Sequence, residues 1–240
     1  MRIGKYGVIL LMFFAFNPAF SQKVEMVYTT ASKRWVKAKK FLSKETAANA
    51  TDIVVYTDSL LQEIDGIGGA FNELGWDALE ALPKGSSKQV FKDLFSDEGC
   101  NFSMCRIPLG ASDYALSYYS SNDVPEDFEM RDFNIDRDRY ILIPYLEAAL
   151  EVNPELKIWA SPWTPPAWMK VNDHYAMRSG EFGNALDGNK MNPEAQILNN
   201  ATAFKMQERY LKAYALYFSK FVQAYKKEGI ELFSIGIFYK

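Results

Sequence analysis

The stretch that decides the fold is residues 157–170, with the sequence KIWASPWTPPAWMK. Its first part, residues 157–161, predicts a short buried strand. The three prolines that follow exclude a helix and predict a stiff, extended loop. A strand that ends in a rigid, tryptophan-rich loop is typical of the binding mouth of a (β/α)8 barrel. Trp163 and Trp168 are equally consistent with core residues on a kinked connection, and both interpretations stay open.

The composition is that of a globular protein and argues against one class of partner. The 240 residues are 48% hydrophobic and 15% aromatic, which is enough for a packed core. The formal net charge is −3 and the pI is about 5.4. Nucleic-acid binding needs a basic surface, so no nucleic-acid partner is expected.

The first 21 residues have the pattern of a signal peptide. Arg2 and Lys5 precede an apolar run at residues 8–16, and small residues follow at a suitable spacing for cleavage. The run is shorter than the ~20 residues that a membrane span requires. We therefore predict export to the periplasm or the exterior. No lipoprotein or other stable membrane anchor is expected, because no cysteine lies at the cleavage point.

Cysteine and histidine usage gives little support to metal or nucleophile chemistry. Cys100 and Cys105 lie in one extended segment, too far apart to pair, and are predicted to be buried free thiols. His174 is the single histidine and lies in a loop. Neither a metal site nor a cofactor is expected.

Residues 22–61 are predicted to form a side sheet that precedes the main domain. Residues 24–28 and 52–56 are β-branched or alternating segments, separated by a polar, alanine-rich stretch. The boundary to the main domain, residues 62–240, is placed near Leu61.

A glycine-rich strand over residues 64–71 opens the main domain. Asn72 is predicted to cap the helix that follows. The third glycine of the dinucleotide fingerprint is missing, so that interpretation is weak. The glycines more simply allow a neighbouring backbone or ligand to come close.

The next unit contains a charged residue where a barrel interior is expected. Ser86 or Ser87 is predicted to cap a helix, and residues 101–108 to form a strand. Arg106, near the end of this strand, needs a partner if it is buried. It would hold either a catalytic carboxylate or a structural acid, and both options stay open.

A loop without clear periodicity covers residues 110–135, and loops of this length in a compact domain are usually functional. Asp113 follows the strand closely, where a carboxylate can accept hydrogen bonds from two neighbouring sugar hydroxyls. The alternative is an Asx-type turn formed by Ser112 and Asp113.

Two more helices and a strand complete the pattern. A helix is predicted over residues 136–152, with Tyr140 on its buried side. Another is predicted over residues 202–227, with Gly229 as the C′ residue that closes it. Residues 230–238 are predicted to form the last strand. Strand and helix pairs therefore recur four times, which is half of a (β/α)8 TIM barrel of the α/β class.

Three segments together resemble glycoside hydrolase family 30, which includes lysosomal glucosylceramidase and bacterial β-1,6-glucanases. They are residues 66–71 (GIGGAF), 105–114 (CRIPLGASDY) and 160–170 (ASPWTPPAWMK). The resemblance covers nearly everything after the leader. It implies a TIM barrel beside a β-sandwich to which residues 22–61 would contribute strands.

The resemblance also implies site residues and a reaction. Asp113 and Trp163 would contact the sugar at the cleavage point, and Arg106 would orient the nucleophilic carboxylate. The family retains anomeric configuration with two glutamates whose carboxyl groups lie ~5 to 5.5 Å apart. The implied partner is a carbohydrate or glycolipid, such as β-1,6-glucan or a glucosylceramide-like β-glucoside of sphingolipid metabolism. The leader favours a polysaccharide.

This sequence departs from the family at its carboxyl end. Tyr239 and Lys240 fall where the Asn and Glu of the acid/base motif are expected, and the nucleophile's strand is absent. We therefore expect no catalytic residue in this chain, a missing second half of barrel and sandwich, and no activity from the chain alone. Two unpaired sheet edges would follow. The alternative is a non-catalytic carbohydrate-binding remnant.

Overall fold

The computed structural model describes residues 26–38, 56, 58–178, 191–197 and 202–236. The predicted leader, most of the second predicted strand at 52–56, and Tyr239 and Lys240 lie outside these residues. The chain divides into two compact units, Met1–Leu61 and Gln62–Lys240.

The first unit contains a short antiparallel pair of strands. β1 (Val27–Tyr28) pairs with β2 (Val36–Lys37). β1 is shorter than the predicted strand at 24–28, and its partner comes from the stretch that was assigned to a polar connection. Whether these residues belong to a β-sandwich stays a prediction.

The second unit is built on a parallel sheet of four strands in the order β3-β4-β5-β6. Strands and helices alternate along the chain, which confirms the predicted parallel α/β arrangement. The elements are β3 (Gly68–Ala70), α1 (Glu73–Glu80), α2 (Ser86–Phe95), β4 (Met104–Leu109), α3 (Asp136–Tyr140), α4 (Leu142–Val152), β5 (Lys157–Pro162), α5 (Glu208–Lys227) and β6 (Leu232–Ile235), with 3-10 turns at Ala167–Met169 and Pro193–Ala195.

The two central strands carry the core and fix the register of everything that follows them. β4 and β5 pair over six residues, from Met104 opposite Lys157 to Leu109 opposite Pro162. The last three residues of both strands are buried. A strand buried on both faces needs helices on its outer side, and the helices between the strands supply them.

β3 needs a glycine at position 68 because the strand lies very close to β4 there. A Cβ at Gly68 would lie 1.6 Å from the carbonyl oxygen of Met104, so a side chain there would push the strands apart. This confirms the close backbone approach that the glycine-rich sequence predicted.

Helix starts were predicted with mixed success. Asn72 caps α1 as predicted, and its side chain accepts a hydrogen bond from the Gly75 N–H at 2.8 Å. The predicted serine cap of α2 is wrong. Gly85 occupies the cap with φ +88°, a left-handed conformation that glycine adopts without strain, and no side chain bonds to the helix start.

The predicted helix over residues 136–152 is broken into α3 and α4 at Ile141. Pro144 explains the break, because its ring would clash with the carbonyl of Tyr140 four residues earlier and it donates no N–H. The prediction that Tyr140 is buried is wrong, since its side chain is 79% exposed. The break turns it away from the buried face of α4.

The last helix starts later than predicted, at Glu208, and residues 202–207 form no helix. It ends as predicted, with Gly229 at φ +82° just after the last turn. Tyr217, Phe221 and Tyr225 lie one turn apart and are fully buried against the sheet side of the core.

The two cysteines differ in environment. Cys105 is buried in β4, and burial raises the pKa of its thiol to about 12. Cys100 is exposed, so the prediction that both are buried is wrong. The strand starts only at Met104, and Cys100 lies in the turn between α2 and β4.

No helix in the described part of the chain is both long and apolar enough to cross a membrane. The same residues contain no group of three or more His, Cys, Asp or Glu side chains arranged to hold a metal ion.

Candidate functional site

The predicted site residues lie at one edge of the parallel sheet. Because Leu109 pairs with Pro162 in parallel register, the loops that follow β4 and β5 leave the same edge. We call residues 110–135 the β4 loop and residues 163–178 the β5 loop. Asp113 and Trp163 stand near the start of these loops, where parallel α/β barrels place their binding sites.

Arg106 lies beneath this edge on β4, half-buried between indole rings. Its Nε donates to Ser161 Oγ at 2.6 Å. The guanidinium carbon lies 5.3 Å from the ring centre of Trp159 and 5.0 Å from that of Trp163. These distances are those of cation–π contacts, which hold the arginine and Trp163 against each other.

Burial lowers the pKa of Arg106, although an arginine stays charged at any physiological pH. Within the part of the chain that the structure describes, no carboxylate forms an ion pair with it. Both options for its partner, a catalytic carboxylate and a structural acid, therefore stay predictions.

The two tryptophans of the β5 loop separate into different environments. Trp168 is buried, packs against Phe128 with ring centres 5.5 Å apart, and donates its indole N–H to the Asn122 carbonyl at 3.0 Å. It belongs to the core. Trp163 is half-buried and contacts Arg106 instead. The expectation that the prolines exclude any helix is wrong for Ala167–Met169, which forms one 3-10 turn directly after Pro166.

Asp113 is exposed near the start of the β4 loop. Ser112 Oγ accepts the hydrogen bond from the Tyr114 N–H at 3.2 Å, so the serine supplies a side-chain hydrogen bond in this turn. The Asp113 carboxylate lies near Tyr175 of the β5 loop. Burial, and secondarily this carboxylate, raises the pKa of the Tyr175 hydroxyl.

The sequence did not single out an aromatic stack beside Asp113. Tyr118 of the β4 loop lies flat on Tyr175, with ring centres 4.5 Å apart and planes at 10°. His174 meets the edge of Tyr118 at 5.9 Å. The Tyr175 hydroxyl donates to the Ala111 carbonyl at 2.6 Å, which ties the two loops together. The sequence signal for this stack was the presence of tyrosines in a long loop without periodicity.

A buried lysine fixes the β5 loop from inside. Lys170 is 1% exposed, and its Nζ donates to Thr164 Oγ1 at 3.0 Å and to the Tyr175 carbonyl at 2.5 Å. Burial lowers its pKa to about 8. Lys170 forms no ion pair with any described residue. It was not predicted, since a lysine is normally assigned to the surface.

A buried aspartate lies behind the β4 loop. Asp138 of α3 accepts hydrogen bonds from Tyr119 at 3.1 Å and from Tyr225 of α5 at 2.8 Å. Burial raises its pKa to about 6. It thereby connects the loop to two helices of the core.

A second anchor of the β4 loop is the ion pair of Glu73 and Arg137. The two form a bidentate contact with N–O distances of 2.5 and 2.7 Å. Glu73 also accepts from the Leu116 backbone N–H at 2.6 Å. The pair therefore holds the middle of the loop on α1 and α3.

A parallel α/β sheet with aromatic side chains and a carboxylate at its carboxyl edge has the arrangement that α/β barrel proteins use for ligand sites. Comparison with known proteins narrows this class. Residues 64–238 match the glycosyl hydrolase family 30 TIM-barrel domain. The chain belongs to this family, which confirms the resemblance seen in the sequence.

Curated relatives come from both branches that the sequence suggested. The chain is 32% identical over 176 residues to putative glucosylceramidase 1 of Caenorhabditis elegans, covering 73% of this chain and 30% of that protein. It is 30% identical over 179 residues to endo-1,6-beta-D-glucanase BGN16.3 of Trichoderma harzianum, covering 73% and 34%. The chain thus spans about a third of the length of these relatives.

Two solved structures have a fold similar to that of this chain. SrfJ from Salmonella typhimurium has a TM-score of 0.65 at 25% identity and is matched over 84% of this chain and 40% of its own. The endo-beta1,6-glucanase BT3312 has a TM-score of 0.58 at 29% identity, over 75% and 36%.

Proposed function

We propose that the carboxyl edge of β4 and β5 binds the sugar ring at the cleavage point of a retaining hydrolase of β-glucosidic bonds. The observation that carries this proposal is the packing of Trp163 on Arg106 at 5.0 Å, at the edge of the sheet from which the β4 loop with Asp113 also leaves. An indole face offers an apolar surface to the C–H groups of a sugar ring, and a carboxylate accepts from its hydroxyls.

Arg106 supplies the positive charge of this site. We propose that it orients the nucleophilic carboxylate of the complete enzyme. A guanidinium desolvated between two indoles stabilises a nearby carboxylate as the ionised form, which is the form that attacks the anomeric carbon. Ser161 fixes the Nε side of the guanidinium, which leaves the group in one orientation.

We further propose that the two catalytic glutamates are not among the residues of this chain. A retaining enzyme needs one as acid/base and one as nucleophile, ~5 to 5.5 Å apart. The 240-residue chain would then bind a sugar without cleaving it. We also propose that it is exported through its leader, and that the bond cleaved by the complete enzyme lies in a β-1,6-glucan.

Binding to the chain as it stands tests the site. Methyl β-glucoside, titrated while protein resonances are followed by NMR, should bind in the millimolar range. Trp163→Ala and Asp113→Asn should each weaken it at least tenfold. The matched control is Trp35→Ala, because Trp35 is 80% exposed and belongs to the other unit. Equal affinity of Trp163→Ala and the unchanged chain would refute the site.

Hydrolysis tests the reaction. The chain alone, and the chain joined to the glutamate-bearing half of a family 30 relative, are assayed on β-1,6-glucan, xylan and an aryl β-glucoside. Turnover by the joined protein alone, with β-1,6-glucan cleaved fastest, is the expected result. Cleavage by the chain alone contradicts the absence of catalytic residues. Sugar binding with no cleavage by a correctly folded joined protein supports the alternative, a carbohydrate-binding remnant.

A further inference from the structure

A groove runs outward between the β4 and β5 loops, and the sugar site proposed above does not use it. It consists of two adjoining clefts of about 250 and 370 Å³ that share Asp123, Ala167 and Asp173 on their walls. One end is formed by Tyr118 and Tyr175, and the other by Trp168, Lys205 and Tyr210. We call this surface the outer groove.

Tyr118 gives the outer groove a flat, accessible aromatic wall. The side chain is 51% exposed although it is stacked on Tyr175. Tyr175 in turn is fixed at its hydroxyl by Ala111 and at its carbonyl by Lys170. A ring that is held in place before a ligand arrives loses little conformational entropy on binding.

Oriented carboxylates lie beside this ring. The Asp123 carboxylate accepts one hydrogen bond from the Ser120 hydroxyl (2.6 Å) and one from the Ser120 backbone N–H (3.2 Å). Asp173 is held by Lys205 at 2.9 Å, and Lys205 also donates to the Trp168 carbonyl. Each carboxylate therefore has a fixed position and unused acceptor capacity toward the groove. Flat rings and fixed acceptors together match the two kinds of surface that a sugar unit presents.

Tyr175 connects the outer groove to the loop residues of the proposed sugar site. Thr164, next to Trp163, donates to the Tyr175 carbonyl at 3.1 Å. The Tyr175 hydroxyl also donates to the carbonyl of Ala111, which lies two residues before Asp113. A ligand that extends from the ring held by Trp163 and Asp113 would therefore meet the Tyr118 and Tyr175 stack first.

We propose that the outer groove binds further glucose units of an oligosaccharide chain, with Tyr118 as the stacking platform and Asp123 and Asp173 as acceptors for hydroxyls. This inference rests on the proposed function, because it extends the ligand from the sugar bound at Trp163. An acyl chain is the poorer occupant, since it would remove water from two carboxylates without giving them hydrogen bonds.

The test is the dependence of affinity on chain length. The 240-residue chain is titrated with methyl β-glucoside and with β-1,6-linked glucose oligomers of two to six units. We expect affinity to rise at least tenfold from one to four units. Tyr118→Ala should abolish this gain, and Tyr118→Phe, which keeps the ring, should preserve it. Tyr140→Ala is the control, because it removes an exposed tyrosine from α3, outside the groove.

The outcomes separate this inference from the proposed function. If the single sugar binds and Trp163→Ala weakens it, but longer oligomers bind no better, the outer groove is wrong and the inner site stands. Length dependence that survives Tyr118→Ala also refutes the groove. If neither the single sugar nor any oligomer binds, both proposals fail. Octyl β-glucoside is included as well, and a gain from its alkyl chain equal to that from added sugars would overturn the choice of an oligosaccharide.

Discussion

The β4 and β5 loops leave the same edge of the sheet but are held in different ways. The β5 loop has an internal anchor, because Lys170 bonds Thr164 and Tyr175 within six positions along the chain, in addition to its contacts with Ala111, Asn122 and Lys205. The β4 loop is fixed by distant helices. Leu116 donates to Glu73, 43 positions away, and Ser121 donates to the Tyr217 hydroxyl, 96 positions away. The buried anchor of the β5 loop is therefore local in sequence, and the buried anchors of the β4 loop come from helices that are distant in sequence.

The largest effect is expected from breaking the ion pair that anchors the β4 loop. Arg137→Gln leaves the Glu73 carboxylate, 2% exposed, without its partner. An uncompensated buried charge costs about 3–5 kcal/mol. Urea unfolding measures this loss, and Arg131→Gln is the control, since Arg131 and Glu129 form only a surface contact at 3.9 Å. If both variants unfold at the same urea concentration, the ion pair does not anchor the loop.

The second prediction concerns the pH dependence of the same loop. The pKa of Asp138 rises from 3.8 to about 6 on folding, which corresponds to about 3 kcal/mol. As the pH falls, the carboxyl takes up its proton at a higher pH in the folded state than in the unfolded state. Its contribution to stability is therefore fully present below pH 4. That contribution is lost as the pH rises through 6. Asp138→Asn should remove this loss.

Unfolding curves between pH 4 and pH 7.5 check the sign. The difference between the unchanged chain and Asp138→Asn is the quantity to follow, because other carboxylates titrate in both. Asp132→Asn, at an exposed position of the β4 loop, is the matched control. A profile for Asp138→Asn that parallels the unchanged chain would show that the buried aspartate does not titrate as described.

The contrast between the loops explains what could be predicted from the sequence. The strand before the β5 loop follows from local residue types, and the predicted strand at 157–161 agrees with β5. The same residue types left open whether Trp163 and Trp168 belong to the site or to the core. The anchors of the β4 loop could not be predicted, because Glu73 and Asp138 look like ordinary helix residues until the helices pack. Lys170 was missed for a related reason. Nothing local shows that its ammonium is buried.

A smaller effect is expected where the loops meet. The Trp168 indole N–H bonds the carbonyl of Asn122, a buried residue of the β4 loop. Trp168→Phe removes the donor and leaves this carbonyl without it, which costs about 1–3 kcal/mol. Trp76→Phe is the control, because no described residue accepts from its indole N–H. An equal loss in both variants would show that ring volume, rather than the hydrogen bond, joins the loops.

The smallest effect at neutral pH is expected from Lys170→Met. The change removes two hydrogen bonds, worth about 0.5–1.5 kcal/mol each, but it also removes a buried ammonium, so the two effects largely cancel at pH 7. The two effects can be separated by changing the pH. The pKa of Lys170 falls from 10.5 to about 8 on folding, so its contribution to stability is lost as the pH falls through 8 and is regained toward 10.5. In parallel urea titrations, the free energy of unfolding of the unchanged chain should therefore rise relative to that of Lys170→Met between pH 7 and pH 9.5. This direction is opposite to the one expected for Asp138, whose contribution falls as the pH rises. A constant difference over this range would show that the ammonium stays charged inside the β5 loop, and the loop would then need a carboxylate partner.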